Sequence, residues 1–364
     1  MKNIIIFGAQ GYALSVYNAI KTIYPTRRVL FFMVTKIGSN STLLAQLPVR
    51  EIESVSIEFS FDEKRNIEVL IATPENVHSE IEDTLDKYGF TNHSKISSEY
   101  WDDLMNQLHS KTELFSPLKN LPAGNSNPAL TIYMAKSHND KPLVNPYTLP
   151  RYYLPIQVGA SNTNNIISNI RDDIGENISA KNGNYCELTG LYWIWKNVLC
   201  DNHNTITKEN PYFGFAQYRR VLLLSDDDLL RLEKNDIDVV LPYPLFYEPN
   251  INAHHNRYLK DSDWSAMLKA LKDIHPKYEE AFSEILNQGY LYNYNVVLAK
   301  QNVLKNYCEW LFPILERTEE LSIPKGSDRS DRYIGYMGES LETLYFMYNK
   351  SNYKIAHVGC KLFI

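Results

Sequence analysis

At 364 residues the chain is too long for one ordinary hydrophobic core and fits two domains, or one large domain with an appendage. Its 44% hydrophobic and 22% charged residues suit a folded protein, and a formal charge of −6 lacks the basic face that a nucleic-acid binder needs, so no nucleic acid is expected as a partner. Cys186, Cys200, Cys308 and Cys360 are scattered and form no CxxC pair, which argues against a zinc site or a disulfide framework and for a reducing, cytoplasmic setting. Met1 to Gln10 does not read as a secretory signal, and no apolar run approaches the roughly 20 residues that span a bilayer. Tyrosine occurs 26 times, a usage that suits stacking against sugars or bases and also follows from AT-rich coding.

In chain order, Asn3 to Phe7 predicts a buried parallel strand. Gly8-Ala9-Gln10-Gly11 predicts a tight turn, and Leu14 to Ile23 a helix. Arg28 to Val34 and Ile67 to Ala72 predict further strands, with a helix over Asn76 to Tyr88. This βαβ…βα order gives an open parallel sheet over residues 1–109. The glycine turn suits an anion at the helix N-terminus, but GxGxxG is incomplete and Val34-Thr35-Lys36 offers no acid to a ribose. Nucleotide binding and a docking or vestigial role both stay open. The region resembles the small Rossmann-like domain of bacterial sugar acyltransferases.

Residues 110–128 are rich in Pro, Asn, Ser and Gly and read as a linker. A new strand, Ala129 to Ala135, opens a second domain over 129–364, and Lys136 and His138 follow it at a plausible pocket edge. The polar block from Arg171 holds Asp172, Asp173, Lys181 and Asn182. Ser179 is placed to cap the helix that carries Glu187, Leu191 and Trp195 on one face. Glu187 is then either a buried, paired acid or a site residue. Tyr212 to Gln217 predicts a strand ending in Tyr218-Arg219-Arg220. Asp226-Asp227-Asp228 contains Asp-x-Asp, yet after Ser225 and before leucines it reads as a helix start. His254 and His255 fall in a polar loop, either an acceptor lid or a solvated turn. Asn293 and Asn295 alternate along an expected strand and so share a face. Gly335 to Gly338 reads as a turn, with Glu339 opening a helix through Tyr348.

Asp172…Gly175-Glu176-Asn177-Ile178-Ser179…Lys181-Asn182…Tyr185-Cys186-Glu187-Leu188-Thr189…Tyr192-Trp193…Trp195-Lys196-Asn197, then Tyr218-Arg219-Arg220, Asn293-Tyr294-Asn295 and Arg332…Gly335-Tyr336…Gly338-Glu339, occur in the order of a known family. From Thr131 onward the chain resembles the bacterial capsular and surface-polysaccharide glycosyltransferases grouped as a domain of unknown function. One motif departs: Gln217 stands where a histidine usually precedes Tyr-Arg-Arg. The resemblance implies an α/β fold in which a small Rossmann-like parallel-sheet domain precedes a GT-A-like mixed α/β domain. It implies a hexosyltransferase that takes a UDP-sugar, galactofuranose in some members, to a glycan or lipid-linked acceptor. A lipid-linked acceptor would bring the protein peripherally to the inner face of the cell membrane.

Such a transfer builds negative charge on the departing diphosphate. Arg219 or Arg220 is expected to hold it, so no cofactor is required; Mn2+ or Mg2+ is the alternative, and pairing of one arginine with Glu187 is the bland reading. The donor set is Lys136, His138, Lys181, Asn182, Glu187, Tyr218, Arg219 and Arg220. The base that takes the acceptor proton is sought among Glu339, Asp172, Asp173 and His255, and the acceptor set is His255, Asn293 and Asn295. Two rival functions stand beside this one: an NAD(P)-dependent sugar-nucleotide oxidoreductase, and a non-catalytic scaffold of polysaccharide assembly.

Overall fold

A computed structural model of the chain describes residues 2–143, 148–200, 210–326 and 329–363. The first sheet contains β1 (Lys2–Phe7), β2 (Arg27–Val34), β3 (Leu43–Leu44), β4 (Leu47–Glu51), β5 (Glu68–Ile71) and β6 (His93–Lys95), in the order β3-β4-β2-β1-β5-β6. All pairings are parallel except β3 with β4. Ile4, Ile5 and Ile6 are wholly buried, as a parallel strand covered on both faces requires. One face packs on helices Gly11–Ile23 and Ser98–Thr112, the other on Ile52–Glu58 and His78–Lys87. The first helix begins at Gly11, three residues before its expected start, so the glycine turn is shorter than the sequence suggested.

The second sheet is mixed. It contains β7 (Leu130–Lys136), β8 (Tyr153–Gln157), β9 (Ile170–Arg171), β10 (Tyr212–Gln217), β11 (Arg220–Leu222) and β12 (Val239–Pro242). After the small pair β13 (Leu245–Phe246) and β14 (Tyr290–Leu291) come β15 (Val297–Lys300), β16 (Ile355–Val358) and β17 (Cys360–Leu362). The order is β16-β12-β15-β10-β7-β8-β9, with β11 joining the end of β10 to β17. β7, β8, β9 and β10 run parallel, while β15 runs against β10 and β12. Helices Leu188–Ile194, Gln301–Leu321 and Tyr333–Tyr348 cover one face and contribute Leu188, Leu311 and Leu341 to the largest core. This parallel-rich α/β architecture is the class the sequence led us to expect. No helix among the described residues is long and apolar enough to cross a membrane.

Helix Tyr333–Tyr348 is fixed at its start by a buried ion pair. Arg329 donates from both terminal nitrogens to Asp263, each at 2.6 Å, with side-chain exposures of 5% and 1%. The same guanidinium lies 3.9 Å from the centre of the Tyr333 ring. Arg329 also bonds the half-exposed Asp331, so removing Asp263 leaves the buried guanidinium with that one outlying partner. Asp263→Ala should therefore destabilise the protein by at most about 3–5 kcal/mol in a denaturant titration, and an unchanged midpoint would show that the pair is dispensable.

Candidate active site

The carboxyl ends of β7 and β10 lie side by side, because Ala135 pairs with Gln217 in parallel register. Beyond β7 the chain turns at once, with Ser137 N–H donating to Asp140 at 2.8 Å. Beyond β10 it reverses through Tyr218 and Arg219 into β11, Gln217 facing Arg220. These turns leave a cleft at the sheet's active edge. The cleft has two connected chambers, of about 500 Å³ and about 340 Å³. Ser137, Asn139, Lys141, Asn182, Tyr218 and Arg219 line the larger. Tyr247, His254, His255, Tyr258, Asn293 and Glu339 line the smaller. Cys186, Glu187, Gln217 and Arg332 line both.

Two carboxylates face the smaller chamber. Glu187 accepts from Gln217 Nε2 at 2.9 Å and from Asn295 Nδ2 at 2.8 Å. Glu339 accepts from the Tyr294 backbone N–H and, at 3.4 Å, from Asn293 Nδ2. Burial, then the charge of Glu187, pushes the Glu339 carboxyl up to about 8. Burial likewise raises Glu187, against the pull of Asn295. Asn293 keeps a buried amide oxygen without a partner, a ready acceptor for a hydroxyl.

The backbone here is unusual. Cys186 (φ +51°), Tyr294 (+77°), Asn295 (+50°) and Arg332 (+68°) all adopt positive φ without being glycine. Such strain gathers at sites where geometry matters. Cys186 separates the short helix Asn182–Tyr185 from Leu188–Ile194 and turns Glu187 into the cleft. Arg332 stands just before helix Tyr333–Tyr348, and its Nε donates to Cys186 Sγ at 3.3 Å. Burial, then Glu187, raises the Cys186 thiol to about 12, so it is no nucleophile at neutral pH. Neither Arg332 nor Arg219 forms an ion pair among the described residues, and Arg219 Nε is buried without a partner.

The expected site residues separate into three groups. Glu187, Glu339, Asn293, Asn182, Tyr218, Arg219 and His255 all line the cleft. Asn295 stands behind Glu187 and bonds it. Arg220 diverges from Arg219 and lies 4.1 Å from the centre of the Tyr294 ring. Gln217, rather than either arginine, is the β10 residue that bonds Glu187, and it also donates to Tyr294 O at 2.7 Å.

Other expectations need correction. Asp172 is fully buried and accepts from Gly159 N, Ala160 N and Ser179 Oγ, so it knits a loop and reaches no acceptor. Ser179 is thereby engaged with Asp172 instead of capping a long helix. Asp173 is forked onto Arg171, and Lys181 bonds Glu319 at 2.6 Å; neither lines a chamber. Lys136 and His138 also stay outside the linings, while Ser137 between them is inside. His255 is committed to a stack 4.3 Å from Trp264. Asn293 and Asn295 sit on a left-handed turn rather than a strand. Gly335 to Gly338 is helical, and Glu339 lies inside Tyr333–Tyr348. Those glycines allow contact: a Cβ on Gly335 would meet Cys186 Sγ at 3.0 Å, and one on Gly338 would meet Asn295 Oδ1 at 2.8 Å. Asp228 is used in a capping box with Ser225, as the helix-start reading required.

Sequence reasoning quoted Arg332 within a family motif but gave it no role, and it did not single out Tyr247 or Tyr258. Among the described residues, no group of three or more His, Cys, Asp or Glu side chains is placed to hold a metal.

A family model described as a domain of unknown function, DUF4422, matches residues 132–350. It spans more than half of the chain, which belongs to this family. The chain is also similar to the apo structure of the WbbM bifunctional glycosyltransferase, at 25% identity and a TM-score of 0.53. That similarity covers 64% of this chain and 45% of WbbM, so the chain spans less than half of that protein's length. No curated protein matches.

The raised Glu339 carboxyl has a measurable consequence. Folded, it holds its proton from its ordinary value of 4.5 up to about 8, whereas the unfolded chain has released it. Stability should thus decline as pH rises through that window. The melting temperature of Glu339→Gln should decline less over the same window, and parallel curves for the two proteins would refute the assignment.

Proposed function

We propose that this DUF4422 chain is a glycosyltransferase that moves a hexose from a UDP-sugar to a glycan or lipid-linked acceptor in surface-polysaccharide assembly, galactofuranose being one candidate sugar for the test panel. One observation carries the reading: among the described residues Arg219 and Arg332 form no ion pair, and they flank a pair of half-buried carboxylates, Glu187 and Glu339, in one cleft at the sheet's carboxyl edge. The similarity to WbbM, a bifunctional glycosyltransferase by its description, supports it.

The larger chamber takes the nucleotide. Arg219 and Arg332 hold the diphosphate through charged hydrogen bonds and stabilise it as it leaves. The acceptor enters the smaller chamber, whose wall is the stacked pair Tyr258 and Tyr336 beside Tyr247 on His254. As the acceptor oxygen bonds to the anomeric carbon, the bond from that carbon to the diphosphate breaks and its electron pair departs with the phosphate. The hydroxyl proton passes to Glu339, whose carboxyl near 8 is matched to work around neutral pH. Glu187 is held by two amides and orients Glu339's surroundings instead of titrating freely. The four free cysteines fit work in the cytoplasm, at the membrane's inner face when the acceptor is lipid-linked.

Three measurements test this with a panel of UDP-sugars. Glu339→Gln should lower kcat by roughly 10²–10⁴-fold with little change in UDP affinity. Arg332→Ala should weaken UDP binding by about 10–100-fold, the loss of one charged hydrogen-bond partner. Transfer should persist with excess EDTA, because guanidiniums supply the positive charge. Full activity in Arg332→Ala, or none with chelator, would overturn the assignment.

A further inference from the structure

The glycine turn of the first sheet, where such folds hold a pyrophosphate, faces another part of the same chain. A Cβ on Gly11 would lie 2.8 Å from Tyr247 Cε1 and 3.1 Å from Phe246 O. Ser15 Oγ, one turn further along that helix, accepts from Phe246 N at 3.1 Å. Ala45 N donates to Glu248 at 2.7 Å, and Arg257 donates to Gln10 at 2.8 Å. Tyr243 and Leu245 are buried in the first sheet's core, and Tyr243 Oη donates to Asn106 at 2.8 Å. Residues 243–257 are thus bound to the first sheet along their length.

The other side of this segment walls the smaller chamber with Tyr247, Ile251, His254 and Tyr258. Tyr247 joins the two surfaces. Its ring occupies the space that Gly11 leaves open, its face stacks on His254 at 3.9 Å, and its hydroxyl accepts from Asn293 Nδ2 at 3.2 Å. Asn293 in turn reaches Glu339 at 3.4 Å. A short chain of contacts runs from Gly11 through Tyr247 and Asn293 to the carboxylate.

We infer that the N-terminal glycine turn is a socket for Tyr247 in place of a nucleotide site, and that Gly11 and Ser15 are positioning residues that set the acceptor wall and Glu339. This builds on the transferase reading for its effect on catalysis, but the docking itself does not need that reading. A bare Cα at Gly11 is what the close ring requires; even an alanine Cβ forces Tyr247 to move. The first sheet then serves the reaction without touching a substrate.

Hydrogen–deuterium exchange on wild type, Gly11→Ala, Gly11→Val and Ser15→Ala tests the socket directly. Protection of residues 243–258 should fall in the order wild type, alanine, valine, while β7 and β10 stay protected. Gly11→Ala and Ser15→Ala keep the test alive if the valine variant does not fold. In the transfer assay, Gly11→Ala should raise the acceptor KM and move the acid limb of the pH profile, with UDP affinity unchanged. Unaltered exchange at 243–258 in every variant overturns the proposal. So does calorimetric binding of NADH to wild type that Gly11→Val abolishes. Loosened 243–258 in a wild-type background that uses no UDP-sugar upholds the socket and sinks only the transferase reading.

Discussion

Holding two half-buried carboxylates close together is the constraint around which the cleft is organised. Each ion alone would lose solvation, and each raises the cost of ionising the other. The protein answers with amides: Gln217 and Asn295 on Glu187, Asn293 and the Tyr294 N–H on Glu339. To aim these donors, the chain accepts left-handed backbone at Tyr294 and Asn295, on the turn between β14 and β15. Cys186 and Arg332 add two more such positions, so four of the nine non-glycine residues with positive φ among the described residues border one cleft. Strain of about 1–3 kcal/mol at each persists only where neighbours over-determine the geometry. The Asp263–Arg329 bridge and the close seats at Gly335 and Gly338 do that here.

Local signals in the sequence were legible where one principle governed them. The buried run Ile4-Ile5-Ile6 and the strand Tyr212–Gln217 stand where periodicity put them. Ser225 with Asp228 forms the cap that its spacing announces. What the sequence hid was chain return. Asp172 reads as a candidate base within a polar run, but only the fold shows Gly159 and Ala160 closing over it. Alternation at Asn293 and Asn295 suggested a strand; the turn breaks that period and still delivers both amides, one to each carboxylate. Glycines at 335 and 338 looked like a turn because glycine serves both conformational freedom and close approach, and spacing alone does not separate the two.

The first sheet follows the same logic. Its glycine turn carries a nucleotide-fold signature without the acid that would complete it, and the structure gives a physical use for the remainder. A turn built to let a phosphate approach the backbone equally lets an aromatic ring approach it. Motif fragments therefore report which backbone geometry is available and leave its occupant open.

The two consecutive arginines show how one motif sends two charges to different places. The reversal between β10 and β11 sends Arg219 to the larger chamber and Arg220 beneath Tyr294. A diphosphate arriving at Arg219 and Arg332 would neutralise the charge that Arg332 lends to the ionised form of Glu187. Arg220, held beside Glu339 by the Tyr294 ring, favours the ionised carboxyl but only partly offsets burial and the charge of Glu187. Stacking on an aromatic face leaves the guanidinium charged and in place, which a lysine would do less well. The motif thus sends one charge to the larger chamber and the other beside Glu339, each from a different face of one tight turn.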